Sequence, residues 1–180
     1  MDKKLHPLWN DDDKPLMTPD EVFLLIQSIR KNHDDIKVAV ELGCYAGRTS
    51  IILASELGIS PDVRYYAVDN FAINGSSIRK DTIERFKKYS IITFMEMTTN
   101  KAAAEFFSPI DWLLIDADHQ DHSILEDCQH WLPKVRSGGI VAFHDYFNPD
   151  FPSVARRVEE TSAGWPVFGQ VDSLMIKIKP

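Results

Sequence analysis

Cysteine, long apolar runs and clustered basic charge are all scarce in this sequence, and each scarcity closes off a class of protein. The two cysteines, Cys44 and Cys128, lie far apart and match neither a disulfide framework nor a metal-binding spacing. No apolar stretch reaches the roughly 18 residues that a membrane span needs, and the charged opening MDKKLHPLWNDDDKP lacks the apolar segment of a signal peptide. Lys and Arg number 20 against 27 Asp and Glu, for a formal net charge of -7. Only RKDTIERFKK is locally basic, and its charges alternate as on a solvated helix face. Neither a nucleic acid nor a membrane is therefore expected as a partner. These absences leave a soluble, cytoplasmic globule as the expectation. A chain of 180 residues, 44% of them hydrophobic, has the length and apolar content for one domain with a sizeable core.

The sequence is rich in short apolar runs that alternate with helical patterns. MTPDEVFLLIQSIRKNH predicts a helix, with Thr18 as N-cap, Pro19 at the first helical position and Glu21 placed to complete a capping box. Val22, Leu25, Ile26 and Ile29 fall on one face of it. The run at 37–42, VRYYAVD, IITFME, IDWLLID and GIVAFH read as strands. Between them RTSIILASEL, SSIRKDTIERFKKY, NKAAAEFF and HSILEDCQHWLPKV read as helices, and PSVARRVEET follows the fifth strand as another. Continuous apolar strands alternating with helices predict a parallel sheet covered on both faces. PVFGQVDSLMIKIK has no room for a crossover helix, so its two strand-like runs should pair as an antiparallel hairpin around QVDS.

Ligands of such sheets sit beyond the carboxyl ends of the strands, which selects the residues to weigh. The first strand ends at Glu41 and runs through Gly43 and Gly47 into a helix, whose free N–H groups attract anions. A dinucleotide fingerprint needs a third glycine, and Tyr45 stands in the loop instead, so a plain strand-to-helix turn fits the glycines too. Asp69 closes the second strand, where an ionised carboxylate can accept both hydroxyls of a ribose or else cap the next helix. Asp116 closes the fourth strand, with Asp118 and His119 in the turn, and His144 and Asp145 close the fifth. If those strands are neighbours, Asp116, His144 and Asp145 converge, and their carboxylates repel unless a cation intervenes. Oxygen ligands with one imidazole suit Mg²⁺, Mn²⁺ or Ca²⁺. His119 would then be close enough to act as a base. Singly, these residues read equally as helix caps or satisfied histidines. His6, His33, His122 and His130 stay in that class, and the two cysteines read as packing thiols.

In order and spacing, VAVELGCYAGRTS, YYAVDNF, IDWLLIDADHQDHS and GGIVAFHDY resemble the motifs of class I S-adenosylmethionine-dependent methyltransferases. The likeness is greatest to metal-dependent small-molecule O-methyltransferases of the macrolide-sugar and catechol types, and runs over residues 37–178. It implies an α/β fold, a Rossmann-like three-layer sandwich whose seven-stranded, mostly parallel sheet ends in an antiparallel hairpin. It implies one domain over 1–180, with an N-terminal lid and helix at 1–36 and the core at 37–178. The implied cofactor is S-adenosyl-L-methionine: Glu41, Gly43, Cys44, Tyr45 and Gly47 around its methionine portion, Asp69 on the ribose, Thr98 and Thr99 at the adenine, and Asp116 beside it. Mg²⁺ or another divalent cation is implied on Asp116, His144 and Asp145, with His119 as the base.

Two departures shape the expectation. Tyr146 stands where the catechol type places a metal-binding Asn, which favours the pairing of His144 with Asp145. The N-terminal region is short, so acceptor selection would fall to LHPLWNDDDKP, NFAINGSS and YFNPDFPS, with Trp9, Phe71, Phe147 and Phe151 as an apolar wall or as core cover. The implied partner is a hydroxylated small molecule, and a homodimer is compatible with the sequence. The alternatives are a non-catalytic or metal-independent relative that binds the same cofactor, and a nicotinamide oxidoreductase, which the glycine pattern disfavours. A related branch with the same metal pattern is assigned as a hydroxylase, which leaves the reaction open.

Overall fold

The computed structural model describes residues 6–9, 16–58, 62–72 and 75–180. Five strands with continuous apolar runs lie parallel: β1 (Val38–Leu42), β2 (Arg64–Val68), β3 (Ile92–Met95), β4 (Ile110–Ile115) and β5 (Val135–Phe143). Two more, β6 (Val167–Val171) and β7 (Leu174–Ile178), form the expected hairpin, and β7 adds antiparallel to β5. The strand order is β3-β2-β1-β4-β5-β7-β6. The chain winds outward from β1 to β3 and then restarts on the other side at β4. The order thus reverses between β1 and β4, which puts the ligand crevice over their carboxyl ends.

Alternate residues of each strand feed two separate cores. Ala39, Tyr65, Trp112, Leu114, Ile140 and Ile176 pack with α1 (Pro19–Lys31), α2 (Arg48–Leu57) and Phe86 of α3 (Gly75–Phe86). Val40, Val68, Leu113, Ile115 and Val141 face the other way, onto α4 (Thr99–Glu105), α5 (Asp121–Trp131) and α6 (Pro152–Ser162). Every residue of β4 is buried, as a strand covered on both faces requires. Each large side chain buried this way stabilises the fold by about 1.5–3 kcal/mol.

The sequence boundaries shift at one place. The helix expected to reach Val135 ends at Trp131, and Leu132–Lys134 form a single 3₁₀ turn. Pro133 lacks the N–H that a longer α-helix would need. Strand β5 consequently begins at Val135, before Gly139, and its register against β4 slips between Val135 and Ile140. Gly138 takes up the slip with a φ of +75°. The capping box of α1 forms as expected: Thr18 Oγ1 accepts from Glu21 N at 3.2 Å, and Glu21 Oε2 accepts from Thr18 N at 2.8 Å. Among the described residues no helix is long and apolar enough to cross a membrane.

The strand ends that border the crevice touch. Gly43, at φ +84°, donates its N–H to Val68 O, and Asp116 donates to Leu42 O. A Cβ on Gly43 would fall 2.0 Å from the carbonyl oxygen of Asp116. Gly164 has a similar φ of +75°, but nothing lies within 4 Å of its Cβ position. Gly43→Ala should therefore cost about 3 kcal/mol or more, and Gly164→Ala only the backbone strain of about 1–2 kcal/mol. Urea denaturation of the two variants checks the difference, and equal losses would remove the steric argument.

Candidate active site

Loops at the ends of β1, β2, β3 and β4 enclose a cleft of about 760 Å³, lined by Gly43, Tyr45, Asp69, Thr98, Thr99 and Asp116 among others. Asp69 organises it. Its Oδ2 accepts from Tyr45 N at 2.8 Å and its Oδ1 from Phe71 N at 2.7 Å, so one carboxylate ties the loop after β1 to the loop after β2. Each oxygen retains a further acceptor direction. Thr98 caps α4 by accepting from Lys101 N at 3.3 Å. Thr99 hydrogen-bonds Asp127, whose carboxyl is pushed up to about 6 by burial. Gly47 is the left-handed N-cap of α2, and a Cβ there would meet the Phe86 ring at 2.5 Å. Backbone conformation and packing thus account for both glycines of the loop.

Glu41 lies completely buried beneath that loop, accepting from Tyr65 Oη at 2.9 Å and from Ser50 Oγ. Burial pushes its carboxyl up to about 8, against the opposing effect of those two bonds. A smaller cavity of about 170 Å³ adjoins the cleft, sharing Gly43, Tyr45 and Asp116 with it and adding Glu41, Cys44 and Trp9. Cys44 and Cys128 are buried free thiols.

Strand register brings the second half of the site together. Ile115 pairs with Phe143, so the residues just beyond them, Asp116 and His144, stand side by side. Asp145 adopts a φ of +56°, a strained conformation for a non-glycine residue, and Asn148 Nδ2 holds its Oδ1 at 2.6 Å. His144 Nδ1 lies 3.0 Å from both Asp116 Oδ1 and Asp145 Oδ2. On the opposite side of that ring, Nε2 faces Glu21 Oε2 and Ser173 Oγ, each at 3.4 Å. Burial would lower the His144 pKa, but the charge of Asp116 and hydrogen bonds with Asp116, Asp145 and Glu21 outweigh it and push it up to about 12. Asp145 is held well below the usual carboxylate range: burial would raise it, and the contact with His119 and the hydrogen bonds with His144 and Asn148 prevail.

His119 joins the same cluster. Its Nε2 is 2.8 Å from Asp145 Oδ2 and 3.7 Å from Asp116 Oδ1. The ring stacks on Phe151, with centroids 4.4 Å apart and planes 16° from parallel, which turns the buried Nε2 off the line of a directed hydrogen bond. The contact with Asp145 is therefore an ion pair by distance. Burial would lower the His119 pKa, yet Asp116 and Asp145 push it up to about 9. His119 does not cap α5: the N-cap is Gln120, and Asp118 shapes the turn by accepting from Gln120 N and Ser123 Oγ.

The family model described as Methyltransferase domain matches residues 40–146, more than half of the chain. The chain belongs to this methyltransferase family. A search of curated proteins finds no match. Among solved structures, an O-methyltransferase from Bacillus cereus in complex with SAH superposes with a TM-score of 0.71 at 17% identity, over 94% of this chain and 86% of that one. An SAH-bound methyltransferase of Podospora anserina gives 0.70 at 16%, over 96% and 83%. The O-methyltransferase TomG from Streptomyces achromogenes, in complex with SAM, gives 0.68 at 18%, over 92% and 82%. At these identities the likeness concerns the fold.

In this methyltransferase domain the matched span contains the cleft and the cluster Asp116, His144 and Asp145. The donor set suits a divalent cation. The three residues each offer one ligand atom within 4.8 Å of the others. The 3.0 Å separations at His144 Nδ1 equal the spacing of adjacent octahedral ligands at about 2.1 Å from a metal. Of the aromatic residues expected at the acceptor, Phe71 is buried against Phe94, whereas Phe147 is half exposed and Phe151 holds His119. Tyr146 donates to Glu159. Most of LHPLWNDDDKP, and two residues of NFAINGSS, fall outside the described residues. Glu21, Asn148 and Ser173 were not expected at the site. The capping-box motif was the one signal that touched Glu21, and it read as a helix start.

Asp145 is the counter-ion nearest both histidines, so Asp145→Ala should destabilise the protein by about 3 kcal/mol by leaving buried His144 and partly buried His119 short of a counter-charge. Asp118→Ala should cost about 1 kcal/mol, the value of a turn hydrogen bond. Denaturant midpoints at unchanged slope test the ordering.

Proposed function

We propose that this methyltransferase transfers the methyl group of S-adenosylmethionine to a hydroxyl of a small molecule, with a divalent cation on Asp116, His144 and Asp145 and with His119 as proton acceptor. The observation that carries the reading is the meeting of the cleft and the carboxylate–histidine cluster at Asp116, which lines one and belongs to the other. The sulfonium supplies an activated methyl, and a divalent cation lowers the pKa of a hydroxyl beside it.

The remaining work falls to this chain's own groups. Asp69 would accept the ribose hydroxyls through its free acceptor directions, while its bonds to Tyr45 N and Phe71 N keep it from moving. Thr98, Thr99 and the β3 end would line the adenine portion. Glu41, Gly43, Cys44, Tyr45 and Gly47 would enclose the methionine portion, which extends toward the adjoining cavity. His119 Nε2, 2.8 Å from Asp145 Oδ2 and 3.7 Å from Asp116 Oδ1, would exchange a proton with a hydroxyl bound at that cluster. Its raised pKa arises from the same carboxylates that a cation would neutralise, so cation binding should return it toward the ordinary imidazole range. Phe147, half exposed, and Phe151 would offer apolar contact to an acceptor at the cluster.

Three measurements test this reading. S-Adenosylmethionine and S-adenosylhomocysteine should raise the melting temperature and NAD should not, since only a ligand of the folded form stabilises it. Asp69→Ala should weaken both adenosyl ligands by about 1.5–3 kcal/mol, and unchanged affinity would sink the ribose placement. In a screen of phenols, catechols and sugar hydroxyls with Mg²⁺, His119→Ala should lower turnover on any hit by roughly 10²–10⁴ while cofactor affinity persists. Full activity of that variant would remove His119 from the mechanism.

A further inference from the structure

Glu21 is more buried, and accepts more hydrogen bonds, than its place in a capping box requires. It is 1% exposed. Capping uses one acceptor direction of Oε2, toward Thr18 N at 2.8 Å. Its Oε1 accepts from Ser173 N at 2.9 Å and from Ser173 Oγ at 2.6 Å, across a sequence separation of 152 residues. Oε2 then meets His144 Nε2 at 3.4 Å. The other neighbour of Nε2, Ser173 Oγ, has given its proton to Glu21, so it too can only accept. Both groups around Nε2 therefore call for a donor, and Nε2 must carry a hydrogen.

Without a cation the two carboxylates at Nδ1 call for a donor as well and the ring is an imidazolium; a bound cation would displace the Nδ1 hydrogen and leave the ring neutral. A neutral imidazole with its hydrogen on Nε2 presents a lone pair at Nδ1, and Nδ1 is the atom 3.0 Å from Asp116 and Asp145. Metal-ligating histidines gain orientation and basicity when a carboxylate holds their other N–H.

We infer that Glu21 is a positioning residue for the cation site: by holding the hydrogen on His144 Nε2, it turns the Nδ1 lone pair toward Asp116 and Asp145. The inference rests on the proposed cation site and adds to it a residue from α1, far from the ligands in sequence. It also gives the β6–β7 turn a part, because Ser173 orients the Glu21 carboxylate.

Glu21→Gln tests it. Ser173 N and Oγ both donate to the Oε1 position and hold the amide oxygen there, so the amide nitrogen takes the Oε2 position, gives up the bond from Thr18 N and donates to His144 Nε2, which moves the imidazole hydrogen to Nδ1 and blocks the lone pair. Titration of the full chain with Mn²⁺ alone, by calorimetry, should give an affinity about 10- to 100-fold weaker for Glu21→Gln than for the wild type. Thr18→Ala removes the cap and leaves the Glu21–His144 contact, so it should lower the melting temperature and keep the wild-type Mn²⁺ affinity. Equal Mn²⁺ affinities in wild type and Glu21→Gln would overturn the inference. So would a loss in Thr18→Ala as large as that in Glu21→Gln, because Glu21 would then act only through the helix. Failure of the wild type to bind Mn²⁺ at millimolar concentration would instead remove the cation site itself. Nitrogen-15 NMR of the Mg²⁺-loaded wild type reads the tautomer without any variant: a hydrogen on His144 Nε2 is expected, and one on Nδ1 would overturn the assignment.

Discussion

The site depends on one backbone contact, the close approach of Gly43 to Asp116 where the sheet changes direction. β1 and β4 are neighbours in space but far apart in sequence, and their ends must pass within van der Waals contact for two loops to share a cleft. Any side chain at Gly43 would push those ends apart. With the contact in place, Asp116 sits next to the loop that Asp69 ties down, and β5, in register with β4, delivers His144 and Asp145 alongside it. The cleft proposed for the cofactor and the candidate cation cluster are two faces of that junction.

Charge arrangement inside the junction follows from the same closeness. Asp116 and Asp145 lie near enough to repel, and in the protein without a cation the two imidazolium groups of His144 and His119 balance them. The raised histidine pKa values and the depressed Asp145 pKa are parts of one coupled arrangement. A cation and these protons compete for the same oxygen atoms, chiefly Asp145 Oδ2, which faces both rings. The site therefore has two charge-balanced states with the same side chains.

Much of this could be read from the sequence because short-range chemistry set it. The strands were legible as apolar runs of a length that a helix cannot use, the α1 start was legible from Thr18, Pro19 and Glu21, and the hairpin from the lack of room after PVFG. Asp116, His144 and Asp145 were legible because they follow directly on apolar strands, and strand ends are where ligands go. What escaped was set by long-range packing. Pro133 ended α5 early and lengthened β5, a competition between helix and strand that periodicity does not resolve. The shifted pKa of His119 arises from Asp116 and, beyond what local spacing shows, from Asp145, which follows a different strand. Glu21 satisfied a local motif completely, so nothing in its neighbourhood of sequence hinted that His144 and Ser173 would also reach it.

The Glu21–Ser173 bonds also bear on how the molecule folds. They span a separation of 152 residues, and the turn that supplies Ser173 belongs to the last hairpin of the sheet. Contacts of such high order close late, after the entropy of the intervening loop has been overcome. The five parallel strands can assemble and bury most of the core before that hairpin docks. A chain folded to that stage would hold the cleft in place while His144 still lacked its fixed orientation. Cofactor affinity would appear earlier on the folding pathway than affinity for a cation.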